Sequence, residues 1–78
     1  MVVCLDCSLE LAELHDLLAE QLNFPQWYGK NLDALFDCLS TMTQEVLLNV
    51  FHSEEKPQLL RVLMDSANVN PYIVLQLK

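Results

Sequence analysis

Three short apolar segments, separated by longer amphipathic ones, constrain the fold of this chain more than any other feature. The segments at 1–5, 46–51 and 72–77 have the length and apolar character of β-strands. Parallel strands in one sheet need crossover connections, and helices commonly supply them, so this alternation predicts a parallel sheet. We therefore predict an α/β fold of order β-α-α-β-α-β, with a small three-stranded parallel sheet, right-handed crossovers and flanking helices.

The three intervening segments carry apolar residues at spacings of three and four, the pattern of amphipathic helices. The stripes are Leu11, Leu14, Leu18 and Leu22, then Leu32, Leu35, Phe36 and Leu39, then Leu59, Leu60, Leu63 and Ala67. Ser8, Asn31 and Ser53 are of residue types that cap helix N-termini, and we predict them in that role. The first helix is predicted to end near Asn23, and the second around Met42.

Finer features of the strands and of the single glycine are also predicted. The valine-rich first segment is typical of a strand covered on both faces, which would bury Cys4. The last segment is predicted to be an edge strand, partly exposed. Gly29 is predicted to adopt a backbone angle that only glycine reaches at low cost.

The composition limits the classes of protein to which this chain can belong. The 78 residues suit one domain, 1–78, and an apolar content of 53% supports a core and excludes intrinsic disorder. The net charge of −7 argues against nucleic acid or an anionic membrane as direct ligand and favours a basic partner. No apolar run is long enough for a membrane span or a signal peptide, so we expect a cytoplasmic protein.

The cysteines offer one alternative function. Cys4 and Cys7 are spaced as in thioredoxin-like motifs, between a strand and a helix, which makes a small thiol oxidoreductase a competing hypothesis. The charge of the intervening Asp6 opposes formation of a thiolate, so buried or edge thiols are favoured. With Cys38 the count is odd, which indicates free thiols. A zinc site lacks the required ligand spacing, and we expect no metal and no cofactor.

The two histidines are not predicted to be catalytic. His15 lies beside the apolar stripe of the first helix, and His52 ends the second strand. Neither lies next to a Ser or Cys nucleophile in a way that the sequence supports as catalytic, so packing or surface roles are favoured.

The segment 24–40, FPQWYGKNLDALFDCLS, combines features of a protein-binding surface. Its loop is predicted to expose Trp27 and Tyr28, aromatic residues of the kind that anchor interfaces. Asp33 and Asp37 follow on one helix face, and Asp37 is the better candidate for a functional carboxylate because the helix dipole already stabilises Asp33. The alternative is that both aromatic residues cover the core and both aspartates only keep the helix soluble.

This segment resembles the barstar family of ribonuclease inhibitors. The shared pattern, P-x-x-Y-G-x-N-L-D-A-L-x-D-C-L, runs without a gap from Pro25 to Leu39. The resemblance extends more loosely to Leu14 and His15 and to the C-terminal helix and strand, so it covers most of the chain. The chain departs from the family pattern at Trp27, Lys30 and Phe36, and its stretch between Phe51 and Leu59 is short.

The resemblance implies a function. It predicts a non-enzymatic, intracellular inhibitor, an antitoxin or immunity protein, that occludes the active site of a basic secreted or toxin ribonuclease such as barnase. The 24–40 loop and helix would enter that site, with Asp37 in the place of a substrate phosphate. The implied contact residues are Trp27, Gly29, Asn31, Leu32, Asp33, Ala34, Phe36, Asp37 and Ser40, with Asp65 at the rim. A non-inhibitory adaptor that binds a basic protein remains a further alternative.

Overall fold

The predicted order of elements is confirmed in a computed structural model that describes residues 1–78. Strands β1 (Val2–Asp6), β2 (Val46–Phe51) and β3 (Ile73–Leu77) form one parallel sheet in the order β1-β2-β3. The helices are α1 (Leu11–Leu22), α2 (Leu32–Ser40) and α3 (Pro57–Val69). A single 3₁₀ turn, Ser53–Glu55, occupies the short connection between β2 and α3.

All three helices cover the same face of the sheet. Both crossovers step across the sheet in the same direction, so right-handed connections place their helices on one side. Val3 and Leu5 of β1 are buried against the helices, whereas Val2 and Cys4 point to the uncovered face. The prediction that β1 is covered on both faces is therefore wrong, and so is the expected burial of Cys4.

One core joins the sheet to the helices. Its members come from every element except the 3₁₀ turn, and no helix has a separate apolar cluster. The fully buried leucines are Leu5, Leu14, Leu18, Leu35, Leu39, Leu48, Leu59 and Leu63. Helix α2 thus contributes inward-facing residues to the only core of a small domain, which fixes its position against the sheet.

The helix N-termini agree only partly with the predicted caps. The Asn31 side chain accepts a hydrogen bond from the Ala34 N–H at 2.8 Å, which confirms it as the cap of α2. The Ser8 hydroxyl instead donates to Asp6 at 2.7 Å, and α1 begins beyond it at Leu11. Ser53 begins the 3₁₀ turn, so the caps predicted at Ser8 and Ser53 are wrong.

The helix C-termini lie close to their predicted positions. Asn23 caps α1 in the left-handed conformation, with φ of 56°, and its N–H donates to the Ala19 carbonyl. Helix α2 ends at Ser40, shortly before the predicted limit at Met42. No helix of the chain is long and apolar enough to cross a membrane.

A buried asparagine connects the ends of α2 and α3 to β3. The Asn70 side chain is 4% exposed, and its Nδ2 donates to the carbonyls of Leu39 at 2.8 Å and Met42 at 2.9 Å. Its Oδ1 accepts from the Tyr72 N–H at 3.0 Å. One side chain therefore binds a carbonyl in the last turn of α2, a carbonyl just beyond that helix and the N–H that precedes β3.

Candidate functional site

Helix α2 has one buried face and one accessible face, as its period requires. Leu35 and Leu39 are fully buried. The accessible face carries residues at spacings of three and four, namely Asp33, Phe36, Asp37 and Ser40. Four of the predicted contact residues therefore share one side of a helix that the core holds in place.

The preceding loop separates its two aromatic side chains. Trp27 is 83% exposed, whereas Tyr28 is 7% exposed, so the predicted exposure holds for Trp27 alone. The Tyr28 hydroxyl lies 2.6 Å from Nδ1 of the buried His15, and its ring packs against Phe24 at a centroid distance of 4.9 Å. Tyr28 anchors the loop to α1, and the neighbouring Trp27 projects into solvent.

The hydrogen bond between Tyr28 and His15 joins two uncharged groups. Burial raises the pKa of Tyr28 to about 12, so its hydroxyl keeps its proton. Burial also lowers the pKa of His15 below its usual value, so the imidazole is neutral at pH 7. Nε2 of His15 is buried without a hydrogen-bond partner. A neutral, enclosed histidine fits the packing role expected for His15 and has no access to a substrate.

Removing the Tyr28 hydroxyl should weaken the fold. We expect Tyr28→Phe to lower the free energy of unfolding by about 1–3 kcal/mol, because Nδ1 of His15 loses its buried partner. Tyr72 is exposed, so Tyr72→Phe should stay within about 0.5 kcal/mol of the parent. Urea unfolding of both variants measures the difference. Equal values for the two variants would show that the buried hydrogen bond does not anchor the loop.

Gly29 does not have the backbone angle predicted for it, and a side chain at this position would be crowded. Its φ is not positive, so the predicted special angle is wrong, and a Cβ at this position would lie 3.0 Å from Nδ2 of Asn31. The neighbouring Lys30 adopts the left-handed conformation instead, with φ of 52°. Its ammonium Nζ lies 2.8 Å from a carboxylate oxygen of Asp16 on α1.

A cleft of about 490 Å³ separates the loop from α2. Phe24, Trp27 and Gly29 line the loop side, and Asp37 and Cys38 line the helix side. We call Trp27, Gly29, the accessible face of α2 and this cleft the recognition surface. It combines an exposed aromatic ring, a concave apolar region and a carboxylate at one place.

The two aspartates of the recognition surface have no partner within the chain. The ion pairs of the protein join Lys30 to Asp16 and His52 to Asp6. Asp33 and Asp37 are exposed, and neither carboxylate accepts a hydrogen bond from the protein. Both are therefore free to pair with cationic groups of a partner.

Each predicted contact residue is at least partly accessible. Those exposed are Trp27, Gly29, Asn31, Asp33, Asp37 and Asp65, and those partly buried are Leu32, Ala34, Phe36 and Ser40. Nine of them belong to the loop and α2, whereas Asp65 lies on the exposed side of α3. Asn31 also has a structural role as the cap of α2.

The chain is similar in sequence to known proteins. The sequence profile of the family described as "Barstar (barnase inhibitor)" matches residues 2–68. The chain belongs to the barstar family. Within 27 residues it is also 63% identical to a Bacillus subtilis (strain 168) protein named "Putative ribonuclease inhibitor YrdF". That match covers 35% of this chain and 30% of the relative.

The three thiols are not arranged as a redox site. Cys7 is fully buried, and burial raises the pKa of its thiol, the opposite of what a reactive thiolate needs. Cys4 lies on the uncovered sheet face, and all three cysteines are free. Burial, with a smaller effect from Asp37, also raises the pKa of Cys38. This placement disfavours the thiol oxidoreductase hypothesis. No group of three or more His, Cys, Asp or Glu residues is placed to hold a metal ion.

A second polar cluster lies where β1 and β2 end. Oδ1 of Asp6 is 3.0 Å from Nδ1 of His52 and accepts from both the N–H and the hydroxyl of Ser8. Hydrogen bonds from Ser8 and then His52 lower the pKa of Asp6 to about 2. The Asp6 hydrogen bond and charge raise the pKa of His52 above its usual value. Because Asp6 binds both other side chains, Ser8 has no base to activate it, and the cluster is structural.

The His52 pairing should appear in a pH titration. We expect the NMR-monitored pKa of His52 to lie above about 6.5 in the parent and to return toward that value in Asp6→Asn. A raised pKa in the folded state means that the pairing stabilises the fold below about pH 6.5 and is lost as the pH rises through the raised pKa. His15 supplies an internal control, since its pKa should not respond to Asp6→Asn. An unchanged His52 pKa in the variant would contradict the pairing.

Proposed function

We propose that this protein is a cytoplasmic inhibitor of a barnase-like ribonuclease, acting as an antitoxin or immunity protein. Its recognition surface would occlude the active site of the enzyme, with the Asp37 carboxylate in the place of a substrate phosphate. One observation carries the proposal. Two unpaired carboxylates stand on the accessible face of α2, beside a cleft whose opposite wall presents a fully projecting tryptophan.

The chemistry of the surface suits a phosphate-binding site. An enzyme that cleaves RNA must hold a phosphate with cationic side chains, and a carboxylate offers these groups similar acceptor oxygens. Asp37 lines the cleft, so a cationic side chain that enters the cleft meets its carboxylate as water is excluded. Trp27 provides a rigid apolar surface and an aromatic face on which a guanidinium or imidazole ring can stack.

The overall charge supports rapid association with a basic enzyme. Most of the acidity lies outside the recognition surface, because residues 1–22 carry five acidic side chains and no lysine or arginine. These charges act at a distance, drawing a basic partner toward the inhibitor, and salt weakens that attraction. The cognate ribonuclease should therefore associate more slowly as salt is added.

Inhibition of purified barnase is the direct test. We expect the parent chain, added in increasing amounts, to abolish cleavage of an RNA substrate at one inhibitor per enzyme. Gel filtration should recover both proteins in a single complex. Full ribonuclease activity in the presence of excess inhibitor, with no complex formed, would contradict the proposal for barnase-like enzymes.

The same experiment distinguishes the adaptor alternative. A complex with barnase that leaves RNA cleavage intact would show that the protein binds without covering the active site. Occlusion predicts instead that an excess of an RNA oligonucleotide competes with the inhibitor for the enzyme.

A further inference from the structure

Lys30 is the only cation within the 24–40 segment, and its backbone conformation is unusual. Three non-glycine residues have positive φ, and two of them, Asn23 and His52, are of types that adopt this conformation more readily. Lysine has no such preference, and its neighbour Gly29, which could adopt the angle freely, does not. Lys30 thus adopts a conformation that lysine does not favour, next to residues of the recognition surface.

The Lys30 side chain forms an ion pair with an acidic residue that lies outside the recognition surface. Nζ of Lys30 is 2.8 Å from Oδ1 of Asp16, which lies on α1, the next residue after the buried His15. Both side chains are more than half exposed, so the pair is open to solvent and to a partner. The loop is thus attached to α1 twice in succession, by the Tyr28–His15 hydrogen bond and by the Lys30–Asp16 ion pair.

This ion pair changes the charge that a partner meets. Alone, the 24–40 segment carries two aspartates and one lysine, so Lys30 opposes the attraction between the aspartates and a cationic active site. Asp16 is the one acidic residue that contacts Lys30. The Asp16 carboxylate lies 2.8 Å from the Lys30 ammonium and offsets its positive charge locally. The negative charges of Asp33 and Asp37 therefore dominate the recognition surface.

We propose that Asp16 is a positioning residue for ribonuclease binding, acting through Lys30: it holds the lysine against α1 and masks its charge from a cationic partner. The proposal rests on the proposed function. It assigns a role in binding to a residue of α1 that lies outside the loop and α2. It also makes the Asp16–Lys30 pair a determinant of which ribonucleases the inhibitor accepts.

The test compares variants that each remove one negative charge from α1. Asp16→Asn releases Lys30, whereas Glu13→Gln and Glu20→Gln remove exposed charges that form no ion pair. Inhibition of barnase is measured for each, and circular dichroism confirms that each variant is folded. All three lose the same amount of long-range attraction, so only the additional loss in Asp16→Asn reports the masking.

We expect Asp16→Asn to weaken inhibition about two- to fivefold more than either control, the size typical of an exposed ion pair. The extra loss should shrink between about 0.15 M and about 1 M salt, because the screening length falls from about 8 Å to about 3 Å. Asp16→Glu, which restores the charge, should recover the parent value. Salt would also screen an ion pair that only holds the loop in place, so Lys30→Gln supplies the distinction: with a purely structural pair, it would weaken inhibition as much as Asp16→Asn does.

Repeating these substitutions in the Lys30→Gln variant isolates the role of Lys30. In Lys30→Gln there is no cation to mask, so adding Asp16→Asn should cost no more than adding Glu20→Gln. Lys30→Gln alone should inhibit at least as well as the parent. If Asp16→Asn equals the controls in the parent background, or if Lys30→Gln itself weakens inhibition tenfold or more, the masking role is wrong.

Asp37→Ala, measured with the same barnase, separates this proposal from the proposed function. If Asp37→Ala weakens inhibition while Asp16→Asn matches its controls, the masking role alone fails. If the parent does not inhibit barnase, the proposed function fails and the masking role fails with it.

Discussion

Asp37→Ala is expected to weaken inhibition of barnase by at least about 100-fold while leaving the fold intact. Removing one member of a buried charge pair costs about 3–5 kcal/mol, since the partner charge stays desolvated without compensation. In the free protein the Asp37 carboxylate is exposed and unpaired. Only its backbone carbonyl is used, accepting from Ser40 and Thr41 at 3.2 and 2.8 Å, and alanine retains that carbonyl.

Substitutions of two other aspartates provide comparisons for the effect of Asp37→Ala. Asp33→Ala should also weaken inhibition, and it should lower helix stability by about 0.3–1 kcal/mol because Asp33 lies in the first turn of α2. Asp65→Ala removes an exposed charge from α3 and should reduce inhibition by no more than about fivefold. Inhibition constants with thermal unfolding of each variant separate binding from stability. Parent-like inhibition by Asp37→Ala would exclude the carboxylate as the phosphate substitute.

Asn70→Asp should be among the most destabilising substitutions that preserve side-chain shape. The change removes both Nδ2 donors, leaves the carbonyls of Leu39 and Met42 without their buried partner and places a carboxylate against them. We expect a loss of about 3–5 kcal/mol, because the Met42 carbonyl is left unsatisfied, at about 1–3 kcal/mol, and a buried carboxylate that faces carbonyl oxygens costs more than a neutral group. A domain of this size has a total stability of about 4–12 kcal/mol, so the loss is a large part of it.

Asn68→Asp is the matched control. Asn68 is exposed near the same end of α3, and its side chain forms no hydrogen bond within the chain. Both variants place a negative charge near the C-terminal end of the helix, which costs about 0.3–1 kcal/mol. Urea unfolding should therefore give a difference of several kcal/mol between them. Similar stabilities for the two variants would show that the Asn70 hydrogen bonds contribute little.

The elements of the fold could be predicted because their signals are local. Apolar residues at spacings of three and four define each helix, and the cap at Asn31 needs only the residue type and the helix that follows. The loop and α2 were predicted as the site because their residues are contiguous. The matching pattern from Pro25 to Leu39 spans eight of the ten contact candidates, and Ser40 follows it directly.

The predictions that failed depend on residues distant in sequence or on the surroundings. Tyr28 is buried because His15, on another helix, offers its hydroxyl a partner. The partners of Asn70 lie in and beyond α2, so its sequence context indicates only the end of a helix. Gly29 is the reverse case: a single glycine at the end of a loop suggests a special angle, whereas its φ is not positive and a Cβ there would make a tight contact with the Asn31 side chain. Cys4 lies in an apolar run that does not reveal whether helices cover one face of the sheet or both.

The two faces of α2 separate the residues needed for folding from those proposed for binding. Leu35 and Leu39 belong to the core, whereas Asp33, Phe36, Asp37 and Ser40 make little contribution to it. Under the proposed function, substitutions on the accessible face can therefore alter affinity for a ribonuclease without unfolding the domain. The inhibitor that we propose could then be adapted to a different enzyme by changing four helix positions and one tryptophan. The chain already differs from the family pattern at Trp27 and Phe36, both on this variable surface.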